Sequence, residues 1–452
     1  MGILDELVGE IDKIFDDLSD VLDIGRDEIE SLSNAGYEHY SSGRYEESYR
    51  TFMKVLSVDR GHAKSWNGRG LALAALGKSR EARDSFIRAA EIDLDYPEPH
   101  VNLGDLITNF NPETVKNNLR YLEAIHFYNK ALQIDPLCTN ALYRKGRALL
   151  TMGREDEAFH CFDLALEADP SFNYPWADKG LSLADKGDHS PAIECYDRVL
   201  KKNPVDSGVL VLKGQSLIEL SKKDDAEKIF KKALRYDPNS VEALNALGEL
   251  YRRSKDYEKA LKMYEKALSI DPVNKTVRKN SAQAYIHMGN VLFFIKKQYN
   301  DAEKCFRAAT VRDKSQADAW CGLGYSLLRL GKFRDAINAF SYTLALQPDI
   351  ISVWYDLGIC FEKTGEMNRA ANCYKKAIKE DPSNEDAWIR LGSLMMDSGN
   401  YNEAVSCYKG MVKQNNGDSF AWYNMGKAYL KLGRTDDARN CFKKAEEHIA
   451  SS

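Results

Sequence analysis

Nine cysteines are the residues in this sequence best suited to redox or metal chemistry. They are not accompanied by a Cys-x-x-Cys pair or by histidines at ligand spacing, so the pattern does not fit a zinc site. Copies of one position in successive helical units lie too far apart for a disulfide. We therefore predict reduced packing cysteines, no bound metal and no cofactor. Six share one position, just before a recurring aromatic: Cys161, Cys195, Cys305, Cys373, Cys407 and Cys441.

The sequence gives equally little support for a catalytic site. The eight histidines are scattered, with no partner spacing for acid–base work. Gly68-Arg69-Gly70 and Gly322-Leu323-Gly324 look like the start of a phosphate loop, but both lie inside helical patterns. A phosphate loop needs a turn from strand to helix. We predict that the chain is not an enzyme.

The charge is concentrated at the start of the chain. The first 28 residues carry ten acidic side chains against Lys13 and Arg26, whereas the net charge of all 452 residues is −5. A nucleic-acid binder would show a basic stripe, so we expect no nucleic-acid partner. No apolar run could span a membrane and the start shows no secretory leader, so we expect a cytoplasmic protein without a membrane partner.

A repeat of 34 residues must position all of these side chains. Trp320, Trp354, Trp388 and Trp422 are spaced by 34, and a glycine follows each tryptophan four residues later. A second helical stretch then carries an alanine and, four residues on, an aromatic, and many units close with Asp-Pro. Apolar residues at i, i+3, i+4 and i+7 form one face of a helix. Glycine and alanine allow close helix approach, and proline ends each pair.

The pattern resembles the tetratricopeptide repeat family, with its W-x2-L-G-x2-Y…A-x3-F…P signature. The resemblance implies an all-α fold, a right-handed α-solenoid superhelix of stacked antiparallel helix pairs with a concave face that binds proteins or peptides. We predict an acidic amphipathic helix over residues 1–28 and about twelve repeats over residues 29–452. Two eight-residue insertions depart from the family pattern, within residues 105–123 and 273–301. Asn111 and Pro112 favour a lengthened second helix in the first insertion, and the second insertion favours a first helix about 12 Å longer than its neighbours.

Helix geometry predicts where a partner would bind. At 100° per residue, positions three before, one after and four after the packing glycine point away from the packed face. In the family this side of the first helix lines the concave groove. Apolar and aromatic residues at these positions predict a partner-binding groove at Tyr325, Leu328, Tyr355, Ile359, Ile389, Met396, Tyr423 and Leu430. A second groove candidate comprises Ala177, Leu181, Val211 and Ile218.

The acidic start of the chain also carries one apolar stripe. The spacing of Leu4, Ile11, Phe15, Leu18 and Leu22 predicts a helix that docks through these residues. It could cap the first repeat, self-associate, bind a partner or lie in the chain's own groove. A membrane-surface helix would favour Lys and Arg on its polar face.

The leading functional hypothesis is a non-enzymatic scaffold that binds a partner protein or peptide in its concave groove. One alternative is a regulatory or assembly subunit of a multi-protein enzyme complex. An RNA-binding helical-repeat protein is a third hypothesis, which the lack of a basic groove disfavours.

Overall fold

The computed structural model describes residues 26–109 and 118–450, and within these ranges it is helical, with no strand. The 24 α-helices follow one another as twelve consecutive pairs, which we call first and second helices of each repeat. The docking residues predicted between Leu4 and Leu22, and the capping residues Asn111 and Pro112, lie outside the described ranges.

The helices divide between two compact units, residues 1–236 and 237–452. The first unit contains α1 (Arg26–Ser41), α2 (Tyr45–Val58), α3 (Ala63–Ala75), α4 (Ser79–Ile92), α5 (Glu98–Asn109), α6 (Asn118–Ile134), α7 (Thr139–Thr151), α8 (Glu155–Ala168), α9 (Tyr174–Asp185), α10 (His189–Lys202), α11 (Ser207–Glu219) and α12 (Lys223–Tyr236). The second contains α13 (Val241–Arg253), α14 (Tyr257–Ile270), α15 (Lys275–Asn290), α16 (Tyr299–Arg312), α17 (Ala317–Arg329), α18 (Phe333–Leu346), α19 (Ile351–Lys363), α20 (Met367–Glu380), α21 (Glu385–Asp397), α22 (Tyr401–Gln414), α23 (Ser419–Lys431) and α24 (Thr435–Ala450).

Within each unit, every helix packs on the helix before it and the helix after it, so the core runs along the stack. This tandem packing is an all-α solenoid, as the repeat pattern predicted. Among the described residues, no helix is both long enough and apolar enough to cross a bilayer.

The pair α19–α20 shows how the sequence builds one repeat. Gly365 ends α19 with a backbone φ of +85°, a conformation that residues with a Cβ resist. The next amide, of Glu366, donates to the carbonyl of Phe361 at 2.8 Å, which satisfies a helix-end acceptor. The resulting tight turn directs α20 back along α19.

Glycine and an aromatic ring lock each pair together. A Cβ added to Gly358 would lie 2.5 Å from the ring of Tyr374, whose side chain is fully buried. The alanine four residues before that ring, Ala370, is also fully buried. The glycine is therefore required by the close approach of the two helices.

The tryptophans fix the turn between repeats. The indole N–H of Trp388 donates to the carbonyl of Pro382 at 2.9 Å, and Trp320 and Trp422 make the same bond to a carbonyl six residues earlier. Beside it, the Asn384 side chain accepts from the amide of Ala387 at 2.9 Å and caps α21. In these repeats the tryptophan thus ties the start of the first helix to the turn before it.

The second insertion falls in a continuous helical stretch. After α15 the chain continues as a π-helical turn, Val291–Ile295, so this first helix is longer than its neighbours. Gly289 packs against the ring of Phe306, and the extra turns precede this contact, since α15 starts 14 residues before Gly289 whereas α19 starts 7 residues before Gly358. Phe294 and Ile295 at the tip are exposed.

Candidate protein-binding surface

The predicted groove residues of the second unit lie on one side of the first helices α17, α19, α21 and α23, which we call the first-helix face. Six of the eight are half-buried against the core: Tyr325, Leu328, Tyr355, Ile359, Ile389 and Met396. Tyr423 and Leu430 are 52% and 50% exposed. The face is therefore apolar and only partly covered by the chain itself.

The ring of Tyr355 is held by a hydrogen-bond network between two first helices. The Arg390 guanidinium of α21 donates from Nε to the Tyr355 hydroxyl at 3.1 Å and from Nη1 to the Glu362 carboxylate at 3.3 Å. Tyr374 donates from its hydroxyl to the same carboxylate at 2.8 Å. These hydrogen bonds fix the orientation of the Tyr355 ring within the chain itself.

Tyr325 is held by a second arrangement between α17 and α19. Its ring stands edge-on to Phe340 with the centroids 5.3 Å apart, and its hydroxyl donates to the Ser352 hydroxyl at 3.4 Å. Burial raises the pKa of the neighbouring Asp356 to about 6, while the Tyr325 hydroxyl and the Arg329 guanidinium act to lower it. Burial likewise raises the pKa of Tyr325 itself.

The exposed end of the first-helix face lies on α23. In the preceding repeats a following first helix covers this side, as Arg390 of α21 covers Tyr355 of α19. Within the described residues no first helix follows α23, so Tyr423 and Leu430 keep about half of their surface in water. The Lys427 ammonium lies 5.7 Å from the centre of the Tyr423 ring.

Phe420 belongs to the same stripe, although sequence reasoning missed it. It lies one turn before Tyr423 on α23 and is 47% exposed. The spacing in the sequence could have identified Phe420. It lies six residues before the packing glycine Gly426, at the position that Ser352 holds in α19. The polar residues Asp356, Glu362 and Arg390 were missed as well, since nothing in one repeat shows which side chain of the next repeat they meet.

In the first unit, the second groove candidate is only partly accessible. Leu181 is 42% exposed, and Ala177 and Ile218 are half-buried. Val211 is only 5% exposed and lies in the core, so it could not contact a partner in this structure. The prediction from helix geometry assumed that the position three before the glycine points outward, but in α11 it is covered.

The cysteines lie in the core or at its edge, and all nine are free thiols. Burial raises the pKa of Cys305, Cys373 and Cys407 to about 11, so these thiols stay protonated and unreactive near neutral pH. Among the described residues no group of three or more His, Cys, Asp or Glu side chains could hold a metal ion.

Models of known families match four parts of the chain. The N-terminal tetratricopeptide repeats region of Psidin matches residues 182–315, and the middle tetratricopeptide-like domain of cilia and flagella-associated protein 70 matches residues 329–448. Two tetratricopeptide repeat models match residues 139–172 and 34–97.

Two curated relatives match part of the chain. Anaphase-promoting complex subunit 3 of Schizosaccharomyces pombe is 30% identical over 124 residues, which are 27% of this chain and 17% of that protein. The CTR9 homolog of Arabidopsis thaliana is 28% identical over 135 residues, which are 30% of this chain and 12% of that protein. The match thus spans less than a fifth of the length of either relative.

Two solved structures align with the chain at low sequence identity. YrrB, described as a tetratricopeptide repeat protein with an unusual peptide-binding site, is 21% identical and aligns with a TM-score of 0.34 over 43% of this chain and 96% of its own. A human IFIT1 dimer is 17% identical, with a TM-score of 0.34 over 96% of this chain and 97% of its own.

The tandem pairs, with their packing glycines and close-packed aromatics, define a helical-repeat solenoid. Within that class the chain is a tetratricopeptide repeat protein, as the 34-residue signature and the family models both show.

Proposed function

We propose that this protein is a non-enzymatic scaffold that binds a partner protein or peptide on the first-helix face of its second unit. The observation that carries the proposal is the row of aromatic rings, Tyr325, Tyr355 and Tyr423, on consecutive or near-consecutive first helices. Aromatic anchors dominate the binding energy of protein interfaces. Here two of the three are already oriented by hydrogen bonds.

The chemistry of the face indicates the kind of partner. Leu328, Ile359 and Met396 offer apolar contact between the rings, and the Arg390 and Glu362 side chains supply a polar margin. A segment that presents apolar side chains at intervals, with hydrogen-bonding groups between them, would be complementary to this pattern. The accessible residues of the first unit, Ala177, Leu181 and Ile218, form a second and smaller candidate surface.

A triple variant tests the proposal. Y325A/Y355A/Y423A should weaken partner binding by about 2 kcal/mol or more, roughly thirtyfold. Binding would be measured first by quantitative mass spectrometry of proteins cross-linked to a photoreactive residue at position 423, and then with the identified partner by calorimetry. The Y355F variant keeps the ring and should bind almost as well as the parent chain.

The matched control uses Tyr342, an exposed tyrosine on the second helix α18 that stacks on Trp320. A photoreactive residue at position 342 should not capture the same protein, and Y342A should leave its affinity unchanged. Unchanged affinity in a folded triple variant, checked by circular dichroism, would place the binding site elsewhere.

A second candidate function is an assembly or regulatory subunit of a multi-protein complex. The similarity to Anaphase-promoting complex subunit 3 favours it, because that relative is named as a complex subunit. Size-exclusion chromatography of native extract separates the two functions, since a constitutive subunit elutes only in a large particle and a scaffold that binds reversibly also elutes alone. No described feature favours RNA binding, for which a salt-dependent filter-binding assay would be the test.

A further inference from the structure

A groove on the other side of the last repeats is lined by three lysines. It lies between the second helices α22 and α24, over α23, and has a volume of about 550 Å³. Trp422, Met425 and Cys441 form its apolar floor. Lys409, Lys413 and Lys444 stand around it. We call it the C-terminal groove.

The three lysines leave the groove with an excess of positive charge. None of them forms an ion pair with another described residue, and Lys409 and Lys413 are exposed. The Lys444 ammonium lies 4.3 Å from the indole of Trp422, over the floor. The one acidic side chain in the lining, Asp437, is already paired with Arg434 at 2.6 Å.

The corresponding groove two repeats earlier has two cations in its lining, Lys376 and Arg369, and Arg369 is paired with Glu366. It lies over Trp354, has a volume of about 340 Å³ and is covered by Lys376, 4.0 Å from the indole. The positions equivalent to Lys409 and Lys413, 68 residues earlier, hold Ser341 and Ala345. One repeat earlier the positions equivalent to Lys409 and Lys413 hold Lys375 and Lys379, but Gly410 stands in place of Lys444, so of these three repeats only the last carries all three lysines.

The chain itself contains a segment with the opposite chemistry. Its first 28 residues combine ten acidic side chains with the apolar stripe from Leu4 to Leu22. We propose that the C-terminal groove binds this N-terminal segment, with apolar side chains of the stripe against the Trp422 floor and acidic side chains against the three lysines. Opposite charges at a partly desolvated groove steer association and fix the orientation of the segment.

The first test places a photoreactive benzoylphenylalanine at position 15 of the full-length chain and maps the adducts by mass spectrometry. Adducts within residues 409–444 are expected, as monomer-sized product if the segment binds its own chain and as dimer-sized product if it binds a second copy. Adducts confined to other regions, or an absence of adducts, would overturn the proposal.

The second test measures fluorescence anisotropy of a labelled peptide of residues 1–25 against full-length protein. The K409A/K413A/K444A variant should bind the peptide about tenfold more weakly, because each lysine contributes a modest ion-pair energy. The matched variant R369A/K376A, in the groove over Trp354, should change binding less than twofold. Equal effects of the two variants, or equal binding of a scrambled peptide of the same composition, would show that only general charge attraction is at work and would reject the site.

Discussion

Asp356 gives the sharpest test of the electrostatics of the first-helix face. Its side chain is half-buried between α17 and α19, beside Tyr325 and Arg329, and this burial raises its pKa from 3.8 to about 6. The change D356N keeps the shape and a hydrogen-bonding group but removes the ionisation. The perturbation therefore isolates the cost of burying one negative charge.

The size and sign of the expected stability difference between D356N and the parent chain follow from the linkage between protonation and folding. A carboxyl whose pKa is raised in the folded chain favours folding when protonated, so its stability contribution is present below pH 3.8 and is lost as pH rises through about 6. The difference between the two pKa values corresponds to about 3 kcal/mol. D356N should therefore be nearly neutral at pH 3.5 and more stable than the parent chain by up to that amount at pH 7.5.

The assay is thermal unfolding of the full-length chain followed by circular dichroism between pH 3.5 and 7.5. The midpoint of D356N should exceed that of the parent by a margin that grows from pH 4 to pH 7. The control D349N changes an exposed aspartate in the turn before α19 and should show no such growth. A pH-independent offset for D356N would refute the reasoning, because it would mean that packing and not the buried charge sets the difference.

Three further outcomes follow from the repeat geometry. G358A should destabilise the chain by about 1–3 kcal/mol in urea unfolding, because the added Cβ would lie 2.5 Å from the buried Tyr374 ring, and a neutral result would contradict the close packing. K255G should raise stability by about 0.5–1 kcal/mol, because Lys255 holds a φ of +63° at a turn where eight other repeats place a glycine. A loss of stability would show that the contacts of the Lys255 side chain outweigh the strain in its backbone. Burial raises the pKa of Cys360 to about 12, so at pH 8 this thiol should react with iodoacetamide far more slowly in the native chain than in urea, and equal rates would reject the buried environment.

The sequence by itself determined the repeat and its helices. Each repeat carries its own packing glycine and facing aromatic, and eight repeats also carry a turn glycine, as Gly358, Tyr374 and Gly365 show for α19–α20. These contacts are made within about 20 residues of chain, so their types and spacing could be read directly. The same regularity predicted cysteines as packing residues, and the structure places Cys373 and Cys407 in the core.

Only the tertiary structure decided which outward positions stay accessible. Val211 is buried and Tyr423 is half-exposed although both stand three residues before a packing glycine. Burial raises the pKa of Asp356, while Tyr325 and Arg329 of the preceding repeat act to lower it, so its value also depends on neighbouring repeats. The physical reason is that exposure and electrostatics at these positions depend on the side chains of neighbouring repeats about 34 residues away, and the 34-residue signature leaves those side chains unspecified.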